Sequence, residues 1–250
     1  MKLVDLKIKK NTLINVTVVA LIILLSLTVA ILAYKLAAGK DNRTDAQRYY
    51  DNKCQSYATQ NVNSAKGQIV FIGDSITDLY ILDDHYSELP LACYNRGIGG
   101  DTTEGVLRRL EVSVFDIEPS VVVLMIGTND INGGIAEDEI LDRYEQIIDE
   151  IFLALPDVVL YCMSIIPQND QIEEYSSIDL DVTTERILSI NPKIRLLAEE
   201  KGAFYIDLFT HLADADNHLI REYSDDGLHL NFTGLAIWTE LIKPRLISEN

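Results

Sequence analysis

Cysteine, histidine and tryptophan are scarce in this sequence, with three, four and one residues among 250. The cysteines, Cys54, Cys93 and Cys162, are odd in number and widely spaced, which argues against a disulfide framework and against a zinc site. Cys93 and Cys162 lie in apolar runs, where a buried free thiol is the usual state, and one disulfide remains an alternative. No H-E-x-x-H pattern occurs, so we expect no metal centre of that type.

Basic residues are also scarce beyond the first quarter of the chain. Residues 67–250 contain 11 Lys and Arg against 35 Asp and Glu, whereas residues 1–66 contain 10 against 4. So acidic a part argues against nucleic acid as a partner, because binding phosphates requires a basic surface. It argues equally against adsorption to anionic lipid. We therefore expect no nucleic-acid partner and favour neutral or cationic substrates.

Two sequence signatures of other enzyme and binding classes are missing. There is no G-K-[ST] triplet, and the Gly-rich stretch at residues 97–105 lacks G-x-G-x-x-G spacing, which disfavours a phosphate- or nucleotide-binding module. There is also no G-x-S-x-G elbow, which disfavours an α/β-hydrolase of that type. A reactive serine in this chain therefore has to be sought in another context.

The N-terminal part, by contrast, holds a long run without charge. Residues 13–34 contain no Asp, Glu, Lys or Arg, and as a helix they would span roughly 33 Å, against about 30 Å for the bilayer core. The run exceeds the apolar core of a usual signal peptide. We predict a basic segment over 1–12 and a transmembrane signal anchor over 13–34, with the bilayer as partner. The basic flank favours an inside N-terminus, hence a single-pass cell-membrane protein with an extracellular C-terminal domain.

The remaining chain divides into a polar segment and a domain. Residues 35–66 are polar and weakly periodic, which predicts a juxtamembrane stalk with a short helix around residues 45–57. Residues 67–250 contain five short apolar runs of strand type separated by helical patterns. The runs are QIVFIG, LACYNRG, SVVVLMIG, DVVLYCMSIIP and AFYIDL, and the helical patterns cover residues 102–112, 137–155, 183–200 and 233–247.

This alternation predicts an α/β fold, with a central parallel sheet and helices on both faces. Ligands of such sheets bind at the carboxyl ends of the strands. Small, polar and Gly-rich residues follow three of the predicted strands, and a further such segment precedes the last helix. These segments are residues 73–75, 95–103, 127–134 and 224–234. We therefore expect a site at this edge of the sheet.

The residues at this edge are those that serine catalysis needs. Ser75 offers a hydroxyl and a backbone N–H at a helix start, His229 a base, and Asp226, three residues earlier, a carboxylate to orient it. Gly100 and Asn129 offer N–H donors for an oxyanion. Each residue alone is commonplace, as a helix cap, a turn residue or a surface histidine. Their combination in this order predicts a serine hydrolase.

Four blocks of the sequence resemble the GDSL/SGNH hydrolase superfamily over the segment from about residue 67 to 247. They are GDS at 73–75, the glycine at position 100, GTND at 127–130 and DGLH at 226–229. The first block continues with Ile76 where that family has leucine. The stretch NRGIGGDTT, followed by VLRRL, is similar to the branch that includes the platelet-activating-factor acetylhydrolases.

The resemblance implies a flavodoxin-like three-layer α/β/α sandwich, the SGNH hydrolase fold. It implies carboxylic ester hydrolysis, as in esterases and lipases, through an acyl-enzyme on Ser75 with His229 and Asp226. The oxyanion hole would comprise Ser75, Gly100 and Asn129, and neither a metal nor an organic cofactor would be needed. The substrate would be a small-molecule, glycan or lipid ester, with a short acyl group such as acetyl. The alternatives are an acyltransferase and a non-catalytic carbohydrate-binding module on the same fold.

Overall fold

The computed structural model describes residues 18–19, 21–32, 34, 43–172 and 180–248. The chain divides into two compact units, Met1–Asp45 and Ala46–Asn250. In the first unit the described residues between 18 and 34 are helical and exposed. Within the described ranges, no helix is both long enough and apolar enough to cross a bilayer. Positions 13–17, 20 and 33 of the predicted anchor, and the predicted basic segment 1–12, lie outside those ranges.

The second unit alternates helices and strands along the chain. Its elements are α1 (Asp45–Asn61), β1 (Ile69–Gly73), α2 (Ser75–Asp78), α3 (Leu82–Tyr86), β2 (Cys93–Gly97), α4 (Thr103–Arg108), α5 (Leu110–Ser113), β3 (Val121–Met125), α6 (Thr128–Asn132), α7 (Glu137–Ala154), β4 (Val159–Met163), α8 (Leu180–Lys201), β5 (Phe204–Ile206), α9 (Phe209–Leu212) and α10 (Phe232–Ser248).

The five strands form one parallel sheet in the order β2-β1-β3-β4-β5. Gly73 at the end of β1 lies level with Gly97 of β2 and Met125 of β3, so these strands end at the same edge. All five strands expected from the apolar runs are present, and the parallel α/β prediction is confirmed. The order changes direction beside β1, the kind of point where open α/β sheets bind ligands.

The two faces of the sheet are buried by different helices, which makes three layers. Val70 and Ile72 of β1 point into a core with residues of α4, α5, α7 and α8, and Ile69 and Phe71 point into a second core against α2, α3 and α10. Alternate residues of a strand face opposite sides of a sheet, and both sides are covered here. This explains why β1, β3 and β4 are continuously apolar in sequence rather than alternating.

Helix α1 replaces part of the expected stalk. The sequence suggested a short helix around residues 45–57 within a linker of residues 35–66, whereas α1 extends to Asn61 and residues 46–61 belong to the second unit. The Tyr57 side chain is buried and its hydroxyl donates to the Gly97 carbonyl. Asn61 donates to the carbonyl of Val112 at 2.7 Å. These contacts with β2 and α5 attach α1 to the domain.

The helix expected over residues 102–112 is interrupted at Arg109, where the backbone has φ −118° and ψ 12°. The Arg109 side chain is buried and donates to the carbonyls of Gly73 and Arg96 and to the Asp101 carboxylate. A buried guanidinium needs acceptors for its donors. The break in the helix therefore accompanies a contact that joins the ends of β1 and β2.

The three cysteines are free thiols, so no disulfide joins Cys93 to Cys162. Cys162 is fully buried in β4, and burial raises the pKa of its thiol to about 12. Burial likewise raises the pKa of Cys93 to about 12. Both groups are therefore protonated and unreactive at neutral pH.

Candidate active site

The first part of the site is the turn between β1 and α2, and each residue of Gly-Asp-Ser has a separate task. At Gly73 a β-carbon would lie 2.2 Å from the Met125 carbonyl oxygen and 2.3 Å from the Thr77 hydroxyl oxygen, so only glycine fits. Asp74 is the N-cap of α2, and its carboxylate accepts from the Ile76 N–H at 3.0 Å. Ser75 follows as the first helical residue, which places its hydroxyl at the sheet edge.

Asp74 is fully buried, and burial raises the pKa of its carboxyl to about 7. The hydrogen bond from Ile76 opposes this shift, while the nearby carboxylates of Asp101 and Asp130 add to it. Because the folded pKa exceeds the ordinary value of 3.8, the folded state binds more protons than the unfolded chain between these values. The contribution of this group to stability therefore falls as pH rises from about 4 to 7.

We predict that Asp74→Asn removes this dependence while keeping an oxygen to cap α2. The free energy of unfolding of the variant relative to the wild type should rise between about pH 4 and pH 7 and level off above it. Urea unfolding of both proteins at a series of pH values measures the difference. A difference that stays constant across this range would contradict the prediction.

Three side chains from two distant parts of the sequence form a continuous hydrogen-bonded chain. The Ser75 Oγ lies 2.9 Å from the His229 Nε2, and the His229 Nδ1 lies 2.6 Å from the Asp226 Oδ2. An ionised carboxylate only accepts, so the proton of the imidazole sits on Nδ1 and Nε2 accepts from the serine hydroxyl. This is the arrangement in which a histidine can remove a proton from a nucleophile.

The Asp226 carboxylate is ionised more readily than an ordinary one. Burial opposes its ionisation, but the His229 ring and the backbone N–H groups of His229 and Leu228 donate to it and together lower its pKa. The two backbone bonds are 2.8 and 2.9 Å long and end on Oδ1. Oδ2 is then directed to the imidazole. The backbone of the DGLH segment thus holds the Asp226 carboxylate in the position from which it orients His229.

The DGLH segment is also docked against the loop that follows β4. Gly227 has φ +84°, and a β-carbon there would lie 1.9 Å from the carbonyl oxygen of Asn169. The Asn169 N–H donates to the Gly227 carbonyl at 2.8 Å. A positive φ and so close an approach both require glycine. Asn169 therefore helps to place His229, a role that no sequence motif indicated.

The expected oxyanion donors lie on the neighbouring strand ends. Gly100 has φ +77°, and a β-carbon there would meet no atom within 4 Å, so the space beside it is open. The Asn129 side-chain nitrogen donates to the carbonyl oxygen of Asp101 at 2.8 Å. This bond fixes the carboxamide beside the Gly100 loop and uses only one of its two N–H groups.

Two buried carboxylates behind these donors hold the loops together. Asp101 pairs with the buried Arg109 at 2.7 Å; burial raises the pKa of Asp101, and the guanidinium opposes that rise. Asp130, next to Asn129, accepts from the Thr103 N–H at 2.9 Å and from its hydroxyl at 2.6 Å. The contacts of Asp101 and Asp130 could not be read from the sequence, where both appeared simply as members of Gly-rich segments.

Within the described ranges, no group of three or more His, Cys, Asp and Glu side chains is arranged to hold a metal ion. The acidic side chains at the site instead pair with Arg109, with Thr103, with the start of α2 and with His229. The chemistry available here is that of a serine, an imidazole and several N–H donors.

The parallel five-stranded sheet matches the SGNH hydrolase fold. The sequence model of the GDSL-like lipase/acylhydrolase family matches residues 71–237. The chain belongs to this family. Its members are acylhydrolases and esterases, which makes this protein a hydrolase of ester type.

Individual relatives agree with this assignment. Human platelet-activating factor acetylhydrolase IB subunit alpha1 is 28% identical over 67% of this chain and 70% of its own. A Streptococcus pneumoniae structure named for platelet activating factor has a TM-score of 0.74 and 26% identity, covering 88% of this chain and 99% of its own. An acetylxylan esterase from Geobacillus stearothermophilus has a TM-score of 0.59 at 20% identity, covering 73% and 95%, and at this identity shows the fold alone.

Proposed function

We propose that this protein is a serine esterase that cleaves short-acyl carboxylic esters, acetyl esters first among them, through an acyl-enzyme. The observation that carries the proposal is the unbroken chain from Ser75 through His229 to Asp226, with distances of 2.9 and 2.6 Å. It supports the nucleophile, base and orienting carboxylate that were expected at Ser75, His229 and Asp226.

In the proposed first step the Ser75 oxygen attacks the acyl carbonyl carbon while its proton passes to the His229 Nε2. The carbonyl oxygen becomes an oxyanion, stabilised by the N–H groups of Ser75 and Gly100 and by the Asn129 side chain. Collapse of this intermediate expels the alcohol, which takes the proton from His229. Water, deprotonated by the same imidazole, then attacks the acyl-serine and releases the acid.

The acyl group is proposed from the relatives together with the charge of the domain. A curated relative is named an acetylhydrolase and a structural neighbour an acetylxylan esterase, so acetyl is the group their names share. The excess of 35 acidic over 11 basic residues beyond residue 66 disfavours anionic alcohols by charge repulsion. We therefore favour acetyl esters of neutral or cationic alcohols, whether sugar, lipid or small molecule.

The proposal is tested with p-nitrophenyl esters from acetyl to decanoyl and with acetylated xylo-oligosaccharide, using the purified full chain. We expect the highest kcat/KM with acetyl and a decline as the acyl chain lengthens. Absence of hydrolysis of every ester would leave the non-catalytic module as the better description. Product formed only when an acceptor alcohol is added would favour the acyltransferase.

We predict that Asn129→Ala lowers kcat by about 10²–10³-fold with little change in KM. The amide would donate to the oxyanion of the transition state and much less to the ground-state carbonyl. Steady-state kinetics on p-nitrophenyl acetate separates the two constants. The matched variant is Asn132→Ala on the same helix, whose side-chain oxygen accepts from Gln168 at 3.0 Å; equal kcat losses in both variants would argue against the role of Asn129.

We also propose that residues 13–34 anchor the protein in the cell membrane, with the domain outside. The support is the uncharged run itself and the exposure of its described side chains, for example 67% for Leu25, since exposed apolar surface of this extent requires a partner. External protease added to intact cells should digest the domain. Full protection of the domain, with digestion only after lysis, would contradict this topology.

A further inference from the structure

Asp78, the last residue of α2, joins three parts of the site. It lies three residues beyond Ser75, and its Oδ2 accepts from the Gly99 N–H at 3.2 Å. The same carboxylate accepts from the Tyr49 hydroxyl and from the Lys53 ammonium, both at 2.5 Å and both from α1. Only 16% of the Asp78 side chain is exposed, so the carboxylate is largely shielded from water, whereas Tyr49 lies at the surface.

The loop that ends in Gly100 is held between α2 and α1. At Gly97 a β-carbon would lie 2.2 Å from the Asp78 backbone nitrogen, so the end of β2 touches the backbone of α2 directly. On its other side the Tyr57 hydroxyl of α1 donates to the Gly97 carbonyl. The loop is therefore attached at Gly97 by both helices and at Gly99 through Asp78, and its Ile98 N–H also donates to the Gly73 carbonyl at 3.1 Å.

Gly100, with φ +77°, lies in a tight turn that the Asp101 N–H closes by donating to the Ile98 carbonyl at 3.1 Å. The direction of its N–H is therefore set by the residues on both sides. On the preceding side the fixed point is the bond from the Gly99 N–H to Asp78. That carboxylate is in turn oriented by Tyr49 and Lys53, which lie outside the residues 71–237 that match the family.

We propose that α1 is a working part of the active site, and that Tyr49 and Lys53, acting through Asp78, are positioning residues for the Gly100 oxyanion donor. The inference rests on the proposed function. Without the two donors of α1, the Asp78 carboxylate would turn toward water and release Gly99. The oxyanion of the transition state would then lose part of its stabilisation by the Gly100 N–H. The ground-state carbonyl depends much less on this donor, so kcat falls and KM stays nearly unchanged.

The test compares Tyr49→Phe/Lys53→Met with Tyr50→Phe in the full chain. The double variant keeps the ring and the aliphatic stem but removes both donors to Asp78. Tyr50 also links α1 to the domain, with its hydroxyl donating to the Gly105 carbonyl at 2.7 Å, so its variant controls for helix attachment alone. We expect about tenfold lower kcat in the double variant, an unchanged KM, and faster amide exchange at Gly99 and Gly100; Tyr50→Phe should show none of these.

A second pair of variants keeps the test independent of folding defects. Asp78→Asn retains an oxygen for the Gly99 N–H, whereas Asp78→Ala does not, so asparagine should restore most of the kcat and exchange protection that alanine loses. Wild-type kcat and exchange in the double variant would overturn the inference and leave the esterase proposal intact. A wild-type protein inactive on every ester would overturn the proposed function, and with it any catalytic role of α1, even if exchange at Gly99 still rose in the variant.

Discussion

Replacing Ser75 by alanine should lower kcat/KM for p-nitrophenyl acetate by about 10⁴-fold or more. The variant lacks the hydroxyl oxygen that lies 2.9 Å from the His229 Nε2. His229 would then have no nucleophile to deprotonate, and no acyl-enzyme could form. What remains would be the slow attack of water on an ester held beside the oxyanion donors.

Two measurements check this prediction. Initial rates give the loss of activity, and intact mass after incubation with a fluorophosphonate shows whether Ser75 is the residue that becomes modified. The wild type should gain one phosphonyl group and Ser75→Ala none. The matched control is Ser64→Ala, since Ser64 is half-buried just beyond the end of α1 and its hydroxyl donates to the Gln60 carbonyl at 3.0 Å. Equal activity in Ser75→Ala and wild type would remove the basis of the esterase proposal.

The strand ends were predictable because they depend on local chemistry. Five apolar runs define the five strands, and parallel strands bring their carboxyl ends to one edge. Gly73-Asp74-Ser75 lies at such an end. Gly73 allows a close approach to the Met125 carbonyl, Asp74 caps α2, and Ser75 presents its hydroxyl. At this strand end, the roles predicted from the sequence agree with the contacts in the structure.

The supports of the site were not predictable, because each is a contact between residues far apart in the chain. Asn169 beneath Gly227, Arg109 between the ends of β1 and β2, and Tyr49 on Asp78 carry no motif of their own. Arg109 reads in sequence as part of an amphipathic helix, and its burial appears only when the sheet is assembled. The sequence of helix α1 is mostly polar and is typical of a linker. In the structure Tyr57 is its one fully buried residue, so little in the sequence indicated that it packs on the domain.

The ionisation of the acidic residues at the site could not be predicted either. Asp74, Asp101, Asp130 and Asp226 all follow strands or precede the last helix, and in the sequence only its spacing to His229 singled out Asp226. Burial raises the pKa of the first three, whereas hydrogen bonds from His229 and its neighbours lower that of Asp226. The carboxylate most readily ionised is thus the one placed against the imidazole, a distinction that depends on the folded environment.

Asp226→Asn should lower kcat by about 10³–10⁴-fold while the fold is retained. Asparagine has nearly the shape of aspartate, but it can present an N–H₂ group to the His229 Nδ1. The imidazole would then carry its proton on Nε2, where it could no longer accept the proton of Ser75. The variant also lacks the negative charge that stabilises the imidazolium formed during the reaction.

The neighbouring Asp225→Asn provides the matched control for this prediction. Asp225 is exposed and accepts from the Asn231 side chain at 3.2 Å. Its variant should keep wild-type kcat, and the thermal unfolding of both variants shows whether either fold is damaged. Because the pKa of Asp226 is lowered on folding, its stabilising contribution is fully present above the ordinary pKa of 3.8 and is lost as the pH falls through the lower folded pKa. The stability lost in Asp226→Asn should therefore be largest at neutral pH and shrink as the solution is acidified. Full activity in this variant would reject the Ser75–His229–Asp226 mechanism.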